Sequence, residues 1–197
     1  MSETKTDARR KGRLTLLFLA LVFLGPMLAA VLLYLTDFVW RPSGTTEHGM
    51  LYQPPRPMAD ETMTLVDPTG TRASLRGKWT LIYLGPGDCG APCRQALEEM
   101  RQVRRALGRE MSRVQRLYVV TAGTADTAFL AREHPGIGLI AEAPAVRTIE
   151  AEIGQRGSGD IFLTDPLGNL VMRYPAGTAI KDIHKDLKRL LTVSSIG

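Results

Sequence analysis

Cys89 and Cys93 are the only cysteines in 197 residues, and three residues separate them in the stretch "GPGDCGAPC". Two thiols this close have three uses. They can close a structural disulfide, exchange a disulfide with another protein, or hold a soft metal ion as thiolates. The structural bolt is the weakest of the three, because the stabilisation from a disulfide grows with the loop it closes, and this loop is small. Gly85, Pro86, Gly87, Gly90 and Pro92 surround the pair with small or turn-forming residues. That composition predicts sulfurs left accessible for exchange or metal capture. Of the adjacent charges, Asp88 opposes a thiolate and Arg94 favours one.

Such a pair needs a rigid mount. "WTLIYLG" (79–85) has the continuous apolar character of a central buried strand. "RQALEEMRQVRRALG" (94–108) is helical in pattern, with Leu97, Met100, Val103 and Leu107 on one face and Gly108 as the stop. The cysteines therefore fall where a strand turns into a helix. Pro92 suits the first helical turn, so Cys93 lies inside it and Cys89 in the loop before it. Free N–H groups and the positive end of the helix dipole stabilise a thiolate there. This favours Cys93 as the more acidic, attacking thiol and Cys89 as its partner.

The rest of the chain supplies an α/β frame. "MTLVD" (63–67) and "RLYVVTA" (116–122) read as strands, and so does "IGLIA" (137–141). "TADTAFLAREH" is a helix opened by a Thr or Asp cap and closed before Pro135. "PAVRTIEAEIG" is a helix with Pro144 near its start and Gly154 near its end. "DIFLTDPLGNLVMRYP" reads as a hairpin around 165–168, and "TAIKDIHKDLKRLL" as a last helix with Ile180, Ile183, Leu187 and Leu190 on one face. Strands alternating with helices imply a central sheet covered on both faces.

The net charge of +5 is concentrated at one end. Residues 1–13 hold Lys5, Arg9, Arg10, Lys11 and Arg13 against Glu3 and Asp7, which accounts for +3 of it. No basic stripe interleaved with aromatics accompanies the excess, which argues against nucleic acid as a partner. Residues 14–36 then carry no charge for 23 positions, a helical length of about 34 Å against a hydrocarbon core of about 30 Å. This is a transmembrane helix, and Leu28 argues against cleavage as a signal peptide. Gly25 and Pro26 at mid-span are tolerable in a bilayer helix. The basic tail before the span places the N-terminus in the cytoplasm and the remainder outside it, which in a bacterium means a periplasmic domain on the inner membrane. The expected organisation is a cytoplasmic tail (1–13), the span (14–36), a Pro-rich tether (37–61) and a folded domain (62–197).

This order of parts resembles the Sco/SenC family. The resemblance is carried by the basic tail, one span, a Pro-rich linker, "MTLVDPTGTRASLRGKWTLIYLG", the Cys-x-x-x-Cys at the strand-to-helix turn and the hairpin "IFLTDPLGNLV". It covers about residues 62–192 and implies a thioredoxin-like fold in a membrane-anchored assembly factor for the copper centre of cytochrome c oxidase. The spacing is the specific feature, since thioredoxins proper place two residues between their cysteines. In that family two cysteines and a distant histidine bind copper. The carry-over gives Cys89 and Cys93 as the site, catalytic or copper-binding, while the histidine's expected place falls at about Gly157. The chain is thus identified as a divergent member lacking that ligand, and Cu(I) on two thiolates is the copper state the resemblance leaves open.

Two activities follow for the pair: carrying Cu(I) to a client protein in oxidase biogenesis, or reducing a client disulfide. The alternative is a membrane-tethered interaction module without metal or redox activity. A peroxiredoxin needs a Thr or Ser three residues before its reactive cysteine, and Pro86 and Gly90 stand there. The three histidines, His48 in the tether, His134 at a helix end and His184 on the last helix, read as solvent-facing or capping residues, with His48 the best placed to fold back. Arg94, Arg101, Arg104, Arg105 and Arg109 read as a solvated helix face, with Glu98 and Glu99 as pairing partners.

Overall fold

The computed structural model describes residues 3–35, 47–58, 64–66, 72–194 and 196. It divides into two compact units, residues 1–45 and 46–197.

The first unit is one helix, α1 (Glu3–Leu35), which continues through Pro26. Its stretch Arg13–Leu32 is long and apolar enough to cross a membrane, and none of its residues is buried. Leu14, Phe18, Phe23 and Leu28 are all exposed. A helix of this length that is apolar on every side matches a lipid environment.

The second unit is built on β1 (Met50–Pro57), β2 (Thr64–Val66), β3 (Arg72–Ser74), β4 (Trp79–Gly85), β5 (Val114–Val120), β6 (Ile137–Ile140), β7 (Ile161–Thr164) and β8 (Asn169–Tyr174). They form one sheet in the order β1-β8-β7-β4-β5-β6-β2-β3. β4 lies at its centre, parallel to β5 and antiparallel to β7. Every residue of β4 is buried, as its unbroken apolar run requires.

Helices cover both faces. α2 (Ala91–Ala106), α3 (Thr127–Glu133) and α5 (Ile180–Val193) pack on one side, where Leu97, Met100 and Val103 meet Leu130, Ile183, Leu187 and the inner face of β4. α4 (Ala143–Ile153) covers the other, setting Val146, Ile149 and Ile153 against Ile82, Leu84 and Phe162. Asp126 caps α3, accepting the Phe129 N–H at 2.9 Å. Asp165 closes the hairpin, accepting the Leu167 and Asn169 N–H groups at 2.9 and 2.8 Å.

The structure corrects one boundary. The Pro-rich stretch expected as a tether contributes β1, which adds to the sheet edge by pairing antiparallel with β8. Proline is tolerated there because an edge strand uses the N–H groups of one side only, and the register shifts between Leu51 and Arg56, where Pro54 and Pro55 fall. The parts of the expected tether at 37–46 and 59–61 lie outside the described residues.

Candidate active site

The end of β4 and the start of α2 form the site. Gly87 N–H bonds the Ala122 carbonyl at 2.8 Å and Thr121 N–H bonds the Gly85 carbonyl at 2.9 Å, so the loop leaving β4 is stitched to the one leaving β5. Tyr118, on β5, donates its hydroxyl to the Pro86 carbonyl. Burial above all, with Tyr83 and Asp88 adding to it, holds that phenol well above its ordinary range, so it remains a donor throughout physiological pH. Gly90 is the N-cap of α2 and Pro92 sits in its first turn.

Cys89 and Cys93 are joined as a disulfide with their Cα atoms 5.0 Å apart. The expected accessibility does not hold. Cys89 is 4% and Cys93 2% exposed, and both belong to the core beneath α2. Cys93 lies on the helix face that also carries Ala96 and Leu97, so the packing of α2 turns it inward. Cys89 reaches it from a backbone with φ of +42°, the one non-glycine in the left-handed region among the described residues. For an ordinary side chain that conformation costs about 1–2 kcal/mol. Arg94 holds it: its Nε donates to the Cys89 carbonyl at 3.1 Å, and its guanidinium lies 5.0 Å from the centre of the Phe129 ring on α3.

The opposite wall is the loop from Gly157 to Asp160. Gly159, with φ of +90°, packs so closely that an added Cβ would come within 3.1 Å of Ala176 and 3.8 Å of Pro92. Asp160 fixes this wall. Its buried carboxylate accepts the Gly157 N–H at 2.6 Å and the Ala176 N–H at 3.1 Å, and it pairs with Arg173 at 2.7 Å. A groove of about 430 Å³ runs between the walls, lined by Pro92, Gln95 and Glu99 on α2 and by Ser158, Gly159 and Ala176 opposite.

Gly157 borders a second depression together with Pro86, at the root of the cysteine loop. Among the described residues no group of three or more His, Cys, Asp or Glu side chains is placed to hold a metal ion. The donors present are two sulfurs. Reduced to thiolates they suit Cu(I), which accepts two soft ligands; bonded to each other they offer no thiolate.

The histidines do not complete the set. His48 is held to α5, its Nδ1 3.0 Å from Asp186 Oδ1 and its Nε2 3.5 Å from Asp182 Oδ1. His134 is the C-cap of α3, but it is buried and not solvent-facing, edge-on to Phe129 at 5.3 Å between ring centres. Desolvation, with Arg116 and Arg101 adding to it, pushes its pKa below the usual imidazole value. His184 is half-buried on α5. The arginine row is more structural than a solvated face: Arg101 donates to the Glu133 carbonyl at 2.6 Å and Arg104 to the Val114 carbonyl at 2.6 Å.

Asp160, Phe129 and Tyr118 were not singled out from sequence. Only Asp160 left a trace there, as a carboxylate directly before the apolar run 161–163; the other two read as ordinary core residues.

A sheet of this topology, with paired cysteines at the strand-to-helix turn, defines a thioredoxin-fold domain behind an apolar N-terminal helix. The chain belongs to the transmembrane-like, thioredoxin-like family, whose C-terminal domain model matches residues 79–194 and whose transmembrane-like N-terminal domain model matches residues 6–37. Among solved structures it is similar to apo Sco1 from Thermus thermophilus, at 21% identity and a TM-score of 0.58 over 75% of this chain and 99% of that one. It is similar to yeast Sco1 with copper bound, at 18% identity and a TM-score of 0.55 over 77% and 96%. It is also similar to the thioredoxin domain of a thiol-disulfide oxidoreductase from Bacteroides vulgatus, at 18% identity and a TM-score of 0.51 over 68% and 96%. No curated protein matches it. The likeness to Sco proteins expected from the sequence is borne out in the fold.

Proposed function

We propose that this chain is a membrane-anchored thiol-disulfide exchange protein that serves assembly of the copper centre of cytochrome c oxidase. The N-terminus lies in the cytoplasm and the thioredoxin-like domain in the periplasm. The observation that carries the redox half is the closed Cys89–Cys93 pair at a helix N-terminus, with no group of three metal-binding side chains among the described residues. The oxidase half rests on the resemblance to Sco proteins.

In the reduced protein one thiolate attacks a disulfide of the client. A mixed disulfide forms and one client thiolate leaves. The second cysteine, once deprotonated, attacks the protein's own sulfur in that mixed disulfide. The Cys89–Cys93 bond closes and the second client thiolate departs, so two electrons have passed from protein to client. A dithiol reductant must then restore the pair. The helix N-terminus favours the thiolate form of a cysteine at this turn. The groove beside Pro92, with the small residues Ser158, Gly159 and Ala176 on the wall facing α2, leaves room for an extended client segment.

A second reading, Cu(I) as cargo on the two thiolates, is favoured by the fold shared with Sco proteins solved with copper. Two titrations separate the readings. The reduced full-length chain in detergent is titrated anaerobically with Cu(I) against a competing chelator, and its exchange with oxidised glutathione is followed in parallel. Reversible exchange without high-affinity copper, the exchange being lost in the Cys89→Ser/Cys93→Ser variant, supports the exchange protein. One tightly held copper makes it a carrier. Neither activity reduces it to a tethered interaction module.

A further inference from the structure

Arg94 is unusual in its placement. It follows Cys93 directly, its N–H closes the first helical turn onto the Gly90 carbonyl at 3.0 Å, and its side chain then runs back against the direction of the chain. It stops at the carbonyl of Cys89, the residue whose backbone is left-handed. Although exposed, its guanidinium is not free to wander, because it rests on the face of Phe129, 5.0 Å from the ring centre. Phe129 is fixed in turn, since its N–H bonds the Asp126 cap at 2.9 Å and its ring packs against His134.

We propose that Arg94 and Phe129 form a latch on the cysteine loop that favours the disulfide over the dithiol, with Arg94 as a positioning residue for Cys89. The contact is present with the disulfide closed. Cys89 stands in the unfavourable left-handed region while the pair is closed, and the latch takes that turn to relax in the dithiol, so that a group gripping the Cys89 carbonyl in the turned conformation stabilises the oxidised form selectively. Removing the latch shifts the equilibrium toward the dithiol. Arg94 also has a competing role available, because its positive charge would favour a Cys89 thiolate, and loss of that effect would shift the equilibrium the other way. The direction of the shift tells the two apart. This inference takes the pair to be redox-active, as proposed above, but needs no client.

The test is the equilibrium of the full-length chain, in detergent, with reduced and oxidised glutathione at neutral pH, read by mass after acid quench and alkylation. For a hydrogen bond from a partly exposed cation, Arg94→Ala moves the equilibrium constant about fivefold toward the dithiol. Phe129→Leu keeps the charge and loses the platform, and moves it about twofold in the same direction. Arg94→Lys retains a cation but not the planar guanidinium, and recovers less than half of the loss. Thermal unfolding of each variant is measured both oxidised and reduced. The latch predicts a loss of stability confined mainly to the oxidised form. An unchanged equilibrium with equal losses in both forms, or a shift toward the disulfide, overturns it. If the wild-type protein reduces no client disulfide yet the Arg94→Ala shift appears, the proposed function fails and the latch stands.

Discussion

Replacing Asp160 by Ala tests whether the second wall of the site is held by a single carboxylate. The side chain is 3% exposed and accepts from three directions: the Gly157 N–H at 2.6 Å, the Ala176 N–H at 3.1 Å and Arg173, whose Nε stands at 2.8 Å. Breaking a buried ion pair from one side costs about 3–5 kcal/mol, because the remaining charge has lost its partner. Arg173 is about a quarter exposed and takes up water in part, which places the loss near the lower end, at about 3 kcal/mol. That is a factor of roughly 150 in the folding equilibrium, against a typical total of about 5–15 kcal/mol. Asp160→Asn keeps one acceptor oxygen but turns an amide NH2 toward donors, and should lose about 2 kcal/mol. The assay is denaturant unfolding of the full-length chain in detergent by near-ultraviolet circular dichroism, with hydrogen exchange at Gly157 and Ala176. A pair replacement, Asp160→Ala with Arg173→Met, should recover part of the loss by removing the stranded cation. If Asp160→Ala stays within about 0.5 kcal/mol of the parent and both amides remain protected, the carboxylate is not what holds the wall.

Gly157→His should add an imidazole at the root of the cysteine loop: its Cβ meets the pinned Asp160 Oδ1 at 3.0 Å, which should cost some stability, and the reduced variant should bind Cu(II) with a thiolate-to-copper absorption band that the parent lacks. His134→Gln should flatten the acid limb of stability. The folded His134 is held below its ordinary pKa by desolvation and by Arg116 and Arg101, so as pH falls through about 6.5 the unfolded chain takes up a proton that the folded one refuses, and the parent loses stability between there and the folded value. Unfolding midpoints at pH 7.5 and 5 check this, and equal slopes for the two proteins would refute it. Asp186→Ala should release His48 and Gly49, whose N–H groups it accepts at 2.9 and 3.1 Å, and render the start of β1 sensitive to limited proteolysis.

What the sequence disclosed and what it concealed divide along a physical line. β4, α2 and α5 were legible because a buried central strand has one apolar solution and a half-buried helix shows its stripe at every third or fourth residue. β1 was not, since three prolines in eight residues erase the alternation that marks a strand, and only a partner at the sheet edge, β8, supplies the reason for its extended course. The position of the cysteines followed from the strand and helix around them, but their burial did not. It depends on the left-handed turn at Cys89, which no residue type announces, and on a carbonyl contact from a residue that charge counting treats only as a thiolate neighbour. Asp186 was more legible than it seemed: it lies between Ile183 and Leu187 on the apolar stripe of α5, and a buried carboxylate on such a stripe requires a polar partner. The partner is His48, in the Pro-rich segment expected as a tether, so the misplaced strand and the unread carboxylate are one omission. A charge in a core position can reveal that a distant, patternless segment packs there, and here that segment begins at His48 and leads into β1.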